Sequence, residues 1–357
     1  MSLGREDTRQ SRGLTSREAA ERAVGRRREI IDGAIAEEVP VARPERLYET
    51  CRYLLDAGGK RLRPTMLLLV AESLTGTGPE TADYRAMPAA EGGAVDVVRA
   101  AAGVEVLHTF TLIHDDIMDD DGLRRGVPAV HEAYDSSRAI LAGDTLHAKA
   151  FELLAGTGAP AEQSTRAVSE LSRTCLRLCE GQSLDLAFEE REPAGTEEYL
   201  EMVANKTATL YAAAASLPAI LLGYREAVDP LARYGRDVGR AFQIQDDLLD
   251  LTTPSDQLGK QRGSDLVEGK ETLITVHARA HGVDVDRLVG ADSAESLEEP
   301  AVDAAVAELE AAGSLDYARQ SARDLIADGK ARLEVLPDNE PRERLAAIAD
   351  YLLEREY

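Results

Sequence analysis

The stretch AAGVEVLHTFTLIHDDIMDDD, residues 101–121, decides the fold class. From about Val95 to Asp116 apolar residues recur every three or four positions, with Val97, Ala101, Val104, His108 and Thr111 or Leu112 along one face. That spacing predicts an α-helix, because a half-buried strand would alternate at every second residue. The helix runs straight into Asp115, Asp116, Asp119, Asp120 and Asp121, with Arg124 and Arg125 just beyond. Carboxylates this dense repel one another unless cations or solvent relieve them. The stretch is therefore either a binding site or a well-solvated loop.

Working outward, the same spacing fills residues 17–38, 44–56, 64–75, 137–155, 162–189, 196–222, 229–250, 270–281, 301–312, 315–328 and 341–355. Strand-like alternation is lacking, and good helix formers fill the intervening positions. Punctuation falls at AGGKRLRP (57–64), GTGAP (156–160), REPAGT (191–196) and TPSDQLGKQRGSD (253–265). The expectation is an all-α fold, a single-domain bundle of roughly a dozen helices over residues 17–357, because helices with one apolar stripe must pack on one another. Residues 1–16 read as a flexible, charged tail, and the acidic, irregular residues 283–300 as an exposed excursion.

Composition narrows the function. The chain has 357 residues, 44% hydrophobic, enough for a sizeable core. Aromatics make up only 4% and Trp is absent, so the core is expected to rest on Ala, Leu, Val and Ile. No run approaches the ~20 apolar residues that span a bilayer, and the charged N-terminus lacks a signal-peptide core. A cytoplasmic protein is expected. Cys175 and Cys179, four apart on a helix, read as two buried small side chains, not a metal site. A net charge of −24 argues against nucleic acid, whose phosphates need surplus Lys and Arg. Only six of the 41 basic residues are lysine. An acidic, lysine-poor surface suits a salt-rich cytosol, where screening tolerates excess carboxylate; a GC-rich genome would give the same bias.

A second acidic motif sharpens the reading. In QIQDDLLD (243–250), Asp246, Asp247 and Asp250 repeat the spacing of Asp115, Asp116 and Asp119. In D-D-x-x-D the outer aspartates are four apart and share a helix face. Two such motifs, each closing an apolar helix, resemble facing sides of one site. Carboxylate oxygens are hard ligands suited to Mg²⁺, which is usually completed by water and substrate phosphate oxygens. Four of the scarce lysines lie in GGK (58–60), NKT (205–207), GK (259–260) and GK (269–270). Ammonium charge beside glycine backbone suits phosphate.

These motifs resemble those of the trans-prenyltransferases, the isoprenyl diphosphate synthases that join isopentenyl diphosphate to an allylic diphosphate. The resemblance rests on GGKRLRP, HDDIMD followed by RRG, GQSLD (181–185), KTATL (206–210), and AFQIQDDLLD followed by GKQRGSDLVEGKETL, in the family's order over about residues 44–280. It implies the isoprenoid synthase type I fold, helices around a deep apolar cavity with both motifs at its mouth. It also implies a homodimer, Mg²⁺ as cofactor in three ions, and isopentenyl and allylic diphosphates as partners. Carried over, Asp115 and Asp119 would ligate two ions and Asp246 a third, with Asp116, Asp247 and Asp250 in support. Arg124, Lys206 and Lys260 would neutralise the allylic diphosphate. Lys60, Arg63, His108 and Arg125 would hold isopentenyl diphosphate, with Lys270 near the same phosphate region. Thr207 and Gln243 would turn oxygen dipoles toward the developing cation. His114 and His131, which flank the first motif, read as structural.

In this family the residues before the first motif form the floor of the elongation pocket. Phe110, five before Asp115, with the small Thr111 next to it and no insertion in the motif, resembles the archaeal geranylgeranyl diphosphate synthases. That implies a twenty-carbon product for ether lipids, with fifteen-carbon, twenty-five-carbon and longer quinone-tail products as alternatives. A terpene cyclase would not need Lys60 and Arg63. A non-catalytic subunit of a heteromeric synthase would be expected to lack one aspartate set.

Overall fold

The computed structural model describes residues 15–190, 195–255, 261–288 and 299–354. Within them the chain is all-α, with only two two-residue hairpins, Met87–Pro88 with Ala94–Val95 (β1, β2) and Leu123–Arg124 with Val127–Pro128 (β3, β4). It divides into two compact units, each assembled from several segments: 1–173, 213–232 and 333–348 form the first, and 174–212, 233–332 and 349–357 the second. The expected tail lies almost wholly outside the described residues, as does most of the expected acidic excursion.

The first unit is built around α4 (Val97–Met118), capped by Asp96, whose side chain accepts from the Arg99 amide at 2.8 Å. From Val97 to Leu107 this helix is buried on nearly every side, as an all-round apolar sequence requires. It packs against α1 (Ser16–Glu38), α3 (Leu62–Thr75) and, most extensively, α6 (Ser136–Ala155), while α2 (Glu45–Asp56) also lies on α6. The close approach of α4 to α6 shows at Gly103, where a Cβ would stand 3.2 Å from the Ala150 carbonyl oxygen, and at Gly143, which faces the His114 ring. Between α1 and α3, Arg27 forms a two-pronged ion pair with Glu72, which also accepts from the Tyr84 hydroxyl at 2.6 Å. Both charges are buried, and such a pair is tolerable because the carboxylate is fully hydrogen-bonded. Burial, reinforced by the Glu72 charge, pushes the Tyr84 phenol well above its usual range. The short α5 (Val130–Ala133) completes this part of the chain.

In the second unit the long α7 (Ala161–Glu190) and α10 (Val228–Thr252) contribute their C-terminal parts. The expected helix over 196–222 is three pieces, α8 (Thr196–Val203), a π turn (Ala204–Ala208) and α9 (Thr209–Leu222). After α11 (Ser264–Val267), α12 (Leu273–Ala280) packs on α8 and on α14 (Ser314–Arg332), which also receives α13 (Glu299–Ala311). Finally, α15 (Glu340–Glu354) closes the chain. The core is less purely aliphatic than composition suggests, for Tyr199, Tyr211 and Tyr234 are its largest fully buried side chains. The cysteine pair also differs from expectation. Leu171, Thr174 and Leu178 take the inner stripe of α7, which leaves Cys175 half-buried and Cys179 exposed.

Candidate active site

The first aspartate motif ends α4. Asp115 and Asp119 stand one turn apart and half-buried, with Asp119 as the helix C-cap. Asp116 points the other way and is fully buried. Its Oδ1 accepts from Arg124 Nε at 2.6 Å, and the same guanidinium reaches Asp121 Oδ2 at 2.6 Å. The second oxygen, Asp116 Oδ2, is buried without a hydrogen-bond partner among the described residues. Arg124 and Arg125 are delivered by the β3–β4 hairpin. Its two central residues, Arg125 and Gly126, have φ of 54° and 76°, the positive pair that a type I′ turn requires.

The GGKRLRP segment opens α3. Lys60 is exposed at the end of a turn in which Gly58 and Gly59 have φ of 90° and 146°. Arg61 caps α3 in left-handed backbone, φ 51°. Arg63 NH1 lies 3.0 Å from Nε2 of His108. A guanidinium only donates, so Nε2 accepts and the ring proton sits on Nδ1. Burial, then the charges of Arg63, Arg125, Arg61 and Arg124, hold the His108 pKa well below 6.5, and the ring is neutral. His114, read as structural, contacts the Ile140 carbonyl through Nε2 at 3.3 Å. Phe110, the expected pocket-floor residue, meets His114 and His147 edge-on, with ring centroids 4.8 and 5.1 Å away.

The second motif lies within α10. Asp246 is half-buried, whereas Asp247 and Asp250 are buried. Asp247 accepts from the Tyr199 hydroxyl at 2.6 Å and from Gln243 Nε2 at 3.0 Å. Gln243 in turn accepts from the Thr207 hydroxyl at 2.9 Å. A relay Thr207→Gln243→Asp247 thus fixes the Gln243 amide. Asp250 is the bolt of the following turn, accepting from Ser264 Oγ at 3.0 Å and the Asp265 amide at 3.2 Å.

Lys206 and Thr207 sit on the π turn, a form of helix that is rare and concentrated at functional sites. Lys206 pairs with Asp185 of GQSLD. The π turn rests against Gly181, where a Cβ would stand 2.7 Å from the backbone carbons of Asn205 and Lys206. Lys270 pairs with Glu268 at 2.7 Å, and Lys260 lies outside the described residues. Sequence reasoning missed Glu105, Asp185 and Tyr199 as partners of these groups. Only Asp185, inside a quoted motif, carried any local signal.

The donor chemistry fits Mg²⁺. Each motif offers carboxylate oxygens alone, the hard ligands this ion prefers. Burial, with Asp265 and Asp246 adding like charge, pushes the Asp247 carboxyl up to about 8 despite its two donors. The like charge of Asp246 and Asp265 that contributes to this rise is what a nearby divalent cation relieves. Among the described residues no three His, Cys, Asp or Glu side chains form a ready-made metal cage. Mg²⁺ does not require one, because it keeps several waters and completes its shell with substrate oxygens. No described helix is long and apolar enough to cross a membrane.

The chain is similar to known proteins. The polyprenyl synthetase profile matches residues 44–309. The geranylfarnesyl diphosphate synthase of Natronomonas pharaonis is 61% identical over 96% of this chain and 100% of its own length. The geranylgeranyl diphosphate synthase of Methanosarcina mazei is 48% identical over 92% of this chain and 95% of its own. Among solved structures, the geranylgeranyl pyrophosphate synthetase of Geoglobus acetivorans superposes with a TM-score of 0.82 at 42% identity, over 93% of this chain and 99% of that one.

Proposed function

The chain belongs to the polyprenyl synthetase family and is a prenyl diphosphate synthase, and we propose that it makes geranylgeranyl diphosphate from isopentenyl and allylic diphosphates. One observation carries the proposal. In both motifs the second aspartate is buried on protein partners, Asp116 on Arg124 and Asp247 on Tyr199 and Gln243. The half-buried Asp115, Asp119 and Asp246 are the solvent-reachable carboxylates of the two motifs. We assign Asp115 and Asp119 two Mg²⁺ ions and Asp246 a third, with Asp116 in support. Bound Mg²⁺ would supply the positive charge that stabilises the departing diphosphate.

The chain's own groups do the rest. Arg124, Lys206 and Lys260 add charge at the allylic diphosphate. Lys60, Arg63 and Arg125, with neutral His108 orienting Arg63, bind the isopentenyl diphosphate, and Lys270 lies near that phosphate region. The oxygens of Thr207 and Gln243, aligned by their mutual hydrogen bond, face the allylic cation formed when the C–O bond breaks. The double bond of isopentenyl diphosphate attacks that cation, and the released diphosphate takes the proton.

The stop at twenty carbons rests on Phe110, a ring held by His114 and His147. A twenty-five-carbon product is the second reading, favoured by the 61%-identical relative. A homodimer is supported by exposed Leu123, Ile140 and Leu141. Three unpaired thiols support a reducing compartment such as the cytoplasm. The test is incubation of isopentenyl diphosphate with each allylic primer, with Mg²⁺ or with chelator, followed by chromatography of dephosphorylated products. Mg²⁺-dependent twenty-carbon alcohol is expected; a twenty-five-carbon end product selects the second reading, and no elongation refutes both.

A further inference from the structure

Glu105 lies on α4, three residues before His108, and is 2% exposed. Its Oε1 accepts from Arg61 NH1 at 2.6 Å and from Arg125 NH2 at 3.4 Å. Both arginines also donate to one carbonyl, that of Gly58, Arg61 NH1 at 3.2 Å and Arg125 NH1 more closely. Arg61 further donates to Leu55 O at 2.9 Å and to Asp32 Oδ1 at 2.8 Å, and Arg125 to Leu54 O at 3.1 Å. A single buried carboxylate thus joins two turns distant in sequence, 57–61 and 124–126.

Two features say that the joint is more than packing. A buried ion pair is commonly no more stable than apolar residues of the same volume, so stability alone does not call for one here. Arg61 and Arg125 also account for two of the three non-glycine residues with positive φ among the described residues. Left-handed backbone is unfavourable for bulky side chains and persists where the surroundings over-determine it. Here both strained arginines end on Glu105. The turns they hold carry Lys60 and Arg125, and the same face of α4 presents His108 to Arg63.

We propose that Glu105 is the positioning residue for the diphosphate of the non-allylic substrate, setting the separation of Lys60 and Arg125 by gripping Arg61 and Arg125 at once. The inference rests on the assignment of that diphosphate to Lys60, Arg63 and Arg125. Glu105 itself touches no substrate. It acts by holding the donors at the spacing a diphosphate spans, which a charge-assisted network does with little slack.

The test is steady-state kinetics of Glu105→Gln, Lys60→Ala and Gly59→Ala, each checked by thermal melting. Loss of the charge-assisted bonds in Glu105→Gln is expected to raise KM for isopentenyl diphosphate about 10-fold, with KM for the allylic substrate unchanged. A purely structural role would lower the melting temperature and active fraction without that one-sided shift. A folded Glu105→Gln enzyme with both KM values unchanged, or raised equally, overturns the proposal. Should Glu105→Gln fail to fold, Gly59→Ala decides. Its Cβ would stand 3.0 Å from Arg125 Cζ and 3.2 Å from Arg61 NH1, at a φ of 146° that alanine also strains, so it displaces the joint and its turn without removing a charge, and the same one-sided rise is expected. Unchanged values there overturn the proposal equally. Lys60→Ala separates the two readings. If it leaves KM unchanged while Glu105→Gln raises it, the assignment of Lys60 fails and the role of Glu105 through Arg125 stands.

Discussion

Replacing Gly181 by Ala tests whether the π turn is held by contact with α7. The new methyl would stand 2.7 Å from the carbonyl carbon of Asn205 and the Cα of Lys206, and closer still to the Lys206 nitrogen. Carbon atoms in ordinary contact are about 3.5–4.0 Å apart, so the segment must retreat by roughly 1 Å. The obstructing atoms are backbone and cannot turn aside as a side chain can. Overpacking of this kind costs about 1–3 kcal/mol, which corresponds to a fall in Tm of about 1–4 °C for a chain this large. Asp185, one turn further along α7, would lose its alignment with Lys206, and Thr207 would move relative to Gln243. A displacement of that size can cost about 100-fold in turnover. Differential scanning calorimetry gives the first number and saturating-substrate kinetics the second. Gly25→Ala on α1 is the control, since nothing lies within 4 Å of its Cβ, and it should be neutral or stabilising by about 0.5–1 kcal/mol. A Gly181→Ala enzyme with unaltered Tm and turnover would refute the close-packing argument.

Asp115→Ala and Asp246→Ala should each remove most turnover while leaving circular dichroism and Tm near normal, because both side chains are half-buried and leave no core cavity; near-normal turnover in either would sink the metal assignment. Phe110→Ala should lengthen products beyond those of the wild type by chromatography, and Thr111→Phe should shorten them, with an unchanged profile moving the pocket floor elsewhere. His108 is neutral in the fold, whereas the unfolded chain takes up a proton near pH 6.5. Below that pH the unfolded state binds more protons, so stability falls as pH drops toward the lower folded value. His108→Gln should flatten the decline of Tm between about pH 6.5 and 5, and a decline as steep as the wild type's would show that the ring is not the group responsible.

Much of this molecule was legible because its helices carry their own periodicity. The stretch expected from Val95 to Asp116 is helical over Val97–Met118, and 229–250 is helical over Val228–Thr252. Pro64 marked the start of α3 in the sequence, but it occupies the first turn of a helix that begins at Leu62, where proline is tolerated. The π turn was invisible, because Ala204 to Ala208 are ordinary helix residues. The turn's close contact with Gly181 comes from tertiary packing, which no local pattern encodes. The partners of buried charges were equally hidden. Arg27 and Glu72 are 45 residues apart, as are Arg63 and His108, and nothing local in either segment names the other. Both aspartate motifs were found, yet spacing alone did not reveal that their middle residues face inward while the first residues stay half-buried.

The π turn also makes the winding of the segment between Val203 and Thr209 matter more than its side chains. A π turn takes up one residue more than an α turn. Winding Ala204–Ala208 as regular α-helix with every residue kept would rotate one end by about 100° against the other. Tyr199 lies before the extra residue and donates to Asp247; Thr207 lies within the turn and donates to Gln243. Those two acceptors are four apart on α10 and occupy one face. Eight apart in sequence, Tyr199 and Thr207 would stand about 80° out of phase on a regular α-helix, and the π turn lets both reach that face. A switch from π to α winding here would act as a change of gear between two helices, and a conservative substitution that keeps the π turn does not.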